Sequence, residues 1–214
     1  MKNNLTFAAI GNSLTVGYQS PLKGYDWPKP TPYTSYLMDM SKQLLDDMGN
    51  NELIVEFHNL GIVGELTEDM LYRFKRDVID IHPNYVIILG GSNDIGMGIS
   101  PQNITANLVE MYETALEQGV TPISCTIPSI LGFDIGIPPR LQLNQIIKNI
   151  SLEKEVVCVD LFTATSDPKT NRLRNVFSND GLHLNTEGYK TLAVTIFSQT
   201  VKAIVTSYYK NVLK

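Results

Sequence analysis

Ser13 lies in Gly11-Asn12-Ser13-Leu14-Thr15, directly after an apolar run. A serine at the end of a buried strand can present its hydroxyl and its own backbone N–H into a cleft, which is what a nucleophile requires. Serines in such places also serve only to satisfy turns. The motif is not the Gly-x-Ser-x-Gly elbow either, because Thr15 stands two after Ser13. Towards the other end, Asp180-Gly181-Leu182-His183 sets a carboxylate three residues ahead of a histidine. Across one turn that carboxylate can accept the imidazole Nδ1–H and leave Nε2 free as a base. A capped turn with a solvated histidine would use the same residues. Between these motifs, Gly64 ends Asn59-Leu60-Gly61-Ile62-Val63-Gly64, and Asn93 belongs to Gly90-Gly91-Ser92-Asn93-Asp94. A backbone N–H and a side-chain amide are donors of the kind that stabilise an oxyanion, although each stretch also fits a tight βα turn.

Composition narrows the chemistry further. The 214 residues include three histidines (His58, His82, His183) and two cysteines (Cys125, Cys158), and no two of these five are close enough in sequence to read as a zinc ligand pair. Both cysteines fall in apolar runs, as buried free thiols do. His82 precedes Pro83 at a helix-to-strand junction, on the edge of the sheet away from the other motifs, while His58 has no orienting carboxylate in its own segment. Seventeen Lys and Arg against 22 Asp and Glu give a net charge of −5, with no basic run to neutralise a phosphate backbone, so nucleic acid is not an expected partner. The apolar run after the N-terminus is too short for a signal peptide core or a membrane span, so the expectation is a cytoplasmic protein without stable membrane insertion. Hydrophobic residues at 43% and charged residues at 18% describe an ordinary globular chain.

The motifs need a scaffold, and the hydrophobic pattern supplies one. Apolar, β-rich runs at 5–10, 53–58, 85–89, 121–126 and 156–159 alternate with helical spacing at 32–48, 66–81, 101–118, 139–150 and 186–209. Ser100 before Pro101 reads as a helix cap followed by a first-turn proline, and Asn185-Thr186-Glu187 as a cap with an acidic first turn. Strands apolar on both faces and joined by helices imply a parallel sheet covered on both sides. The chain therefore reads as one doubly wound α/β domain, 1–214, with a five-stranded parallel sheet. Each chemical motif then follows the carboxyl end of a strand or comes just before the final helix, at the edge where open parallel sheets bind ligands. Two connections, 18–31 and 127–139, are too long for simple turns and carry Tyr25 and Trp27 in one, Phe133, Ile135 and Ile137 in the other. These five are candidates for a substrate pocket, or for closing the core edge.

Taken together, the motifs resemble the four blocks of the SGNH-hydrolase family, also called GDSL esterases and lipases: Gly11-Asn12-Ser13-Leu14, Asn59 through Gly64 with Thr67, Gly91-Ser92-Asn93-Asp94, and Asp180-Gly181-Leu182-His183. The resemblance runs from residue 5 to about 190. It implies a three-layer α/β/α, flavodoxin-like fold and a carboxylic ester hydrolase acting on a small-molecule ester without metal or organic cofactor. It also implies Ser13 as nucleophile, His183 as base and Asp180 as its orienting partner, with the N–H groups of Ser13 and Gly64 and the amide of Asn93 as the oxyanion hole. Asn12 departs from the family pattern, which has Asp there; the side-chain oxygen is retained and one negative charge is lost. An apolar pocket at Phe133, Ile135 and Ile137 would suit lipase or lysophospholipase chemistry, or a short acyl group. Tyr25 and Trp27 would suit a carbohydrate O-deacetylase. A catalytically silent binding domain on the same fold is the rival class. Oligomeric state is not legible.

Overall fold

The computed structural model describes residues 3–22, 24–50 and 52–212. Met1 and Lys2, on which the compartment expectation partly rests, and Lys23 of the first long connection lie outside the described residues. Strands β1 (Asn3–Gly11), β2 (Leu53–Gly61), β3 (Tyr85–Leu89), β4 (Thr121–Cys125) and β5 (Val157–Val159) form one parallel sheet in the order β2-β1-β3-β4-β5. Helices α1 (Ser13–Val16), α2 (Tyr33–Asp47), α3 (Thr67–Asp77), α4 (Ser92–Gly96), α5 (Pro101–Glu117), α6 (Ile137–Glu153), α7 (Leu161–Thr165), α8 (Thr186–Ile196) and α9 (Lys202–Val212) follow in chain order. The long helices sort into two groups, α2 with α8 and α9, and α3 with α5 and α6, which cover the sheet as its outer layers. This is the expected α/β architecture. The strand order reverses between β1 and β3, and that crevice is where a doubly wound sheet opens to a ligand.

The central strands are apolar because both of their faces are covered. Leu5, Phe7, Ala8, Ala9 and Ile10 of β1 and Val86 to Leu89 of β3 have almost no exposure. Phe7 stacks on Phe57 at 4.7 Å and on Tyr85 at 5.1 Å between ring centroids, so one aromatic row crosses β2, β1 and β3 in register. Each such pair contributes about 0.5–1.5 kcal/mol beyond area burial.

β2 departs from the expectation of strands buried on both faces. As an edge strand it alternates, with Leu53 buried while Ile54, Glu56 and His58 are exposed. It also runs three residues longer than the hydrophobic pattern suggests, because Asn59 to Gly61 still pair with Ala9 to Gly11.

Three helices also differ from their expected spans. α3 ends at Asp77, four residues short, and a separate 3-10 turn, Ile79–Ile81, follows it. α6 starts at Ile137, ahead of Pro138 and Pro139, since first-turn N–H groups have no intrahelical partner and a proline there forfeits nothing. The final helix is not continuous: a π-helical turn, Phe197–Val201, separates α8 from α9. Within that turn, Gln199 Oε1 accepts the backbone N–H of Asp160 at 3.2 Å, capping the end of β5. The helix caps follow the sequence, with Ser100 Oγ accepting from Asn103 N at 3.2 Å and Asn185 Oδ1 from Gly188 N at 3.0 Å.

Gly11, the last residue of β1, turns the chain into α1 in a space with no room for a side chain. A Cβ there would stand 2.3 Å from Thr15 Oγ1 and 2.5 Å from the Leu89 carbonyl oxygen. Gly11→Ala should therefore destabilise the protein by about 2–3 kcal/mol through overpacking against main chain that cannot move away. Urea unfolding of the two proteins measures this directly.

Candidate active site

Ser13 is the first residue of α1 and is 5% exposed at the carboxyl end of β1. The turn is held by Asn12, whose Oδ1 accepts the Leu14 N–H at 3.1 Å, so the asparagine keeps the capping acceptor that an aspartate would supply. Capping takes the N–H of Leu14 and leaves that of Ser13, which as a first-position helical N–H has no acceptor within its helix. Asn59, at the end of β2, fixes the same turn from the side: its Nδ2 donates to the Thr15 carbonyl at 2.6 Å and to Thr34 Oγ1 at 3.1 Å.

The segment after α1 binds the histidine loop. Tyr18 N donates to the Ser13 carbonyl at 3.1 Å, and the Tyr18 ring meets the His183 ring edge-on at 4.6 Å between centroids. Asn179 Nδ2 donates to the Ser20 carbonyl at 2.9 Å. From α8, the buried Tyr189 hydroxyl donates to the Tyr18 carbonyl at 2.6 Å. Tyr18 thus touches both ends of the chain, and His183 is brought to the edge where Ser13 sits.

Asp180 orients that histidine. Its Oδ2 lies 2.8 Å from His183 Nδ1 and also accepts the Ser20 hydroxyl, while Oδ1 accepts the backbone N–H groups of His183 at 2.7 Å and Leu182 at 2.8 Å. Partial burial alone would raise the Asp180 carboxyl, but the hydrogen bonds from Ser20, His183 and the two backbone groups outweigh it and hold the carboxyl well below its ordinary range. An ionised carboxylate is acceptor-only, so His183 Nδ1 carries the proton of that bond and Nε2 is left free to take one.

Gly64 and Asn93 are positioned by β2, β3 and the helices after them. Gly64 has φ +83°, a left-handed conformation that disfavours other residues, and nothing lies within 4 Å of where its Cβ would be. Asn93 Nδ2 donates to the Glu65 carbonyl at 2.9 Å. That bond sets the plane of the amide beside the Gly64 turn and leaves its second N–H for another acceptor. Beneath it, the buried Asp94 carboxylate accepts Thr67 N at 3.0 Å and Thr67 Oγ1 at 2.5 Å, locking α4 to the start of α3. Glu65 is itself clamped: Arg73 donates to its two oxygens at 2.5 and 2.6 Å and to the Leu60 carbonyl at 2.7 Å, with both side chains nearly buried.

Among the five pocket candidates, Tyr25 and Trp27 are exposed, and Trp27 leans on Tyr18 at 5.9 Å between ring centroids. Phe133 and Ile135 are exposed in the loop after β4, whereas Ile137 is buried in the first turn of α6. That loop is tied to the histidine loop by Leu131 N, which donates to the Gly181 carbonyl at 2.8 Å. A groove of about 340 Å³ runs beside the histidine loop, lined by Gln19, Leu22, Tyr25, Asn179 and Thr186 among others. Of the remaining reactive types, His58 is exposed on the edge strand, and His82 sits in a left-handed turn at the opposite edge of the sheet. Burial raises the thiols of Cys125 and Cys158. Among the described residues no group of three or more His, Cys, Asp or Glu is placed to hold a metal, and no helix is long and apolar enough to cross a membrane.

The sheet order and the gathering of these residues at one edge define the class of fold, and comparison with known proteins agrees. The chain matches the GDSL-like lipase/acylhydrolase family over residues 9–191 and belongs to it. It is 33% identical over 131 residues to the uncharacterized lipoprotein YqeF of Bacillus subtilis, an alignment covering 58% of this chain and 49% of that protein's length. It is 24% identical over 200 residues to an arylesterase of Vibrio mimicus, covering 90% of this chain and 86% of the relative. Among solved structures, the acetylxylan esterase Axe2 of Geobacillus stearothermophilus superposes with a TM-score of 0.75 at 21% identity, over 93% of this chain and 96% of that one.

Sequence spacing offers no route to Tyr18, Ser20, Tyr189, Glu65 or Arg73, since each acts on a partner distant along the chain or through a backbone group. The Glu65–Arg73 pair yields a direct test. Glu65→Ala leaves a buried guanidinium without its main partner and should cost about 3 kcal/mol, with Asp77 as a residual partner. Adding Arg73→Met should recover most of that loss in a denaturant titration.

Proposed function

We propose that the protein is a serine esterase that hydrolyses carboxylic esters through an acyl-enzyme. The observation that carries this reading is the 2.8 Å bond from Asp180 to His183 Nδ1, on a loop that shares Tyr18 with the Ser13 turn. In this reading Ser13 Oγ attacks the ester carbonyl while His183 Nε2 takes its proton, and Asp180 stabilises the imidazolium. Negative charge developing on the carbonyl oxygen meets the N–H groups of Ser13 and Gly64 and the free N–H of the Asn93 amide. The alcohol leaves with the proton from His183. Water, deprotonated by the same nitrogen, then attacks the acyl-serine and releases the acid. No metal or organic cofactor enters these steps.

Two substrate readings remain, each tied to different residues. Exposed Phe133 and Ile135 favour an apolar acyl chain, as in lipase or lysophospholipase chemistry. Exposed Tyr25 and Trp27, beside a groove with polar side chains from Gln19, Asn179 and Thr186, favour an alcohol with a sugar-like face and a short acyl group. The acetylxylan esterase of similar fold is in keeping with the second. For compartment, the lipoprotein relative supports action outside the cytoplasm, against the expectation from the sequence alone.

Hydrolysis of p-nitrophenyl acetate by wild type and Ser13→Ala tests the mechanism. The variant should lose at least about 10³-fold in kcat, and equal rates would contradict the assignment of Ser13. Across a series of p-nitrophenyl esters of increasing acyl length, a sharp preference for acetyl supports deacetylation and sinks the lipid reading; a rise with chain length does the reverse.

A further inference from the structure

Arg140 is among the largest fully buried side chains, at 1% exposure. Its Nη1 donates to the Gly136 carbonyl at 3.1 Å, and its Nη2 makes two long contacts to Ser92, 3.4 Å to the carbonyl and 3.3 Å to Oγ. Nε has no partner. Among the described residues no carboxylate lies within ion-pairing distance of it. Arg73, the other buried arginine near the site, differs in every respect: it holds Glu65 through two bonds and reaches Asp77 as well. Burial pulls the Arg140 guanidinium down to about 10, which leaves it protonated at neutral pH.

A buried cation without a counter-charge costs several kcal/mol, and such a group would ordinarily be replaced by an apolar one at no loss, or a gain, in stability. Arg140 stands in the first turn of α6 and reaches across to Ser92, the residue immediately before Asn93. The packing makes room for it there: a Cβ on Gly136 would stand 2.8 Å from Nη1 and 2.9 Å from the Phe133 ring.

We infer that Arg140 is a positioning residue whose unpaired charge, held against Ser92, favours the negative charge that develops beside Asn93 in the transition state. From a buried position, a fixed cation of this kind acts on developing charge without contacting it. The ground-state ester is neutral, so the cation has little effect on its binding and a large one on the step that forms the oxyanion. The inference rests on the acyl-transfer reading above.

The test compares wild type, Arg140→Met and Arg140→Lys for kcat and KM on p-nitrophenyl acetate, with Tm measured on each. Arg140→Met should lower kcat by about 10-fold or more, less than the 10²- to 10³-fold typical of a direct oxyanion donor, with KM within about 2-fold. Its Tm should be unchanged or higher, because the unpaired charge is gone. Arg140→Lys, which keeps the charge, should retain most of the wild-type kcat. Unchanged kcat in the Met variant overturns the inference, and so does an equal loss in Lys and Met, which would assign the effect to shape rather than charge. A wild type without esterase activity fails the acyl-transfer reading itself and this inference with it. An active wild type indifferent to Arg140→Met fails this inference alone.

Discussion

The structure turns on the Asp180 carboxylate, where the beginning and end of the chain meet. One oxygen joins His183 to Ser20, and the other gathers the backbone of its own loop. Remove the charge and three things fail together: the tautomer of His183, the tether of the loop to the segment following Ser13, and the turn that carries the histidine. The hydrogen bonds from Ser20, His183 and the two backbone groups hold the carboxyl well below its ordinary range, so it is ionised at neutral pH. Tyr18 and the buried hydroxyl of Tyr189 reinforce the same joint with packing and a main-chain bond.

The other half of the site is built by the segments that follow β2 and β3, on either side of β1 in the sheet. Here the anchors are buried charges: Asp94 on Thr67, Glu65 on Arg73, and the unpaired Arg140 against Ser92. Asp94 holds the Thr67 backbone and Arg73 the Leu60 carbonyl, while Arg140 sets a charge against Ser92. The division suits the proposed chemistry, in which the base must gain and lose a proton while the oxyanion donors must be already in place when charge appears. A mobile donor would lose its advantage to reorganisation.

Much of this was legible in the residues. The strands and their order of appearance follow from apolar runs, and β3 coincides with its expected span because it is central and covered on both faces. The motifs around Ser13, Gly64, Asn93 and His183 lie at strand or helix ends, where local sequence determines local geometry. What escaped has a common physical cause. β2 is half exposed because it is an edge strand, a fact of topology rather than composition. The π-helical turn in the last helix answers to Asp160, 39 positions away from Gln199. Ser20 and Arg140 look like ordinary polar residues until the fold sets them beside Asp180 and Ser92. Ile137, which reads as a pocket candidate with Phe133 and Ile135, is buried in the first turn of α6, while those two are exposed.

The central claim is that Ser13 becomes covalently acylated with His183 as its base. Intact-protein mass spectrometry after treatment with a fluorophosphonate, followed by peptide mapping, tests this without any assumption about substrate. The account predicts one adduct per chain on the peptide containing Ser13, formed far more slowly in His183→Ala. A protein that remains unmodified, or one labelled at a different residue, would contradict it.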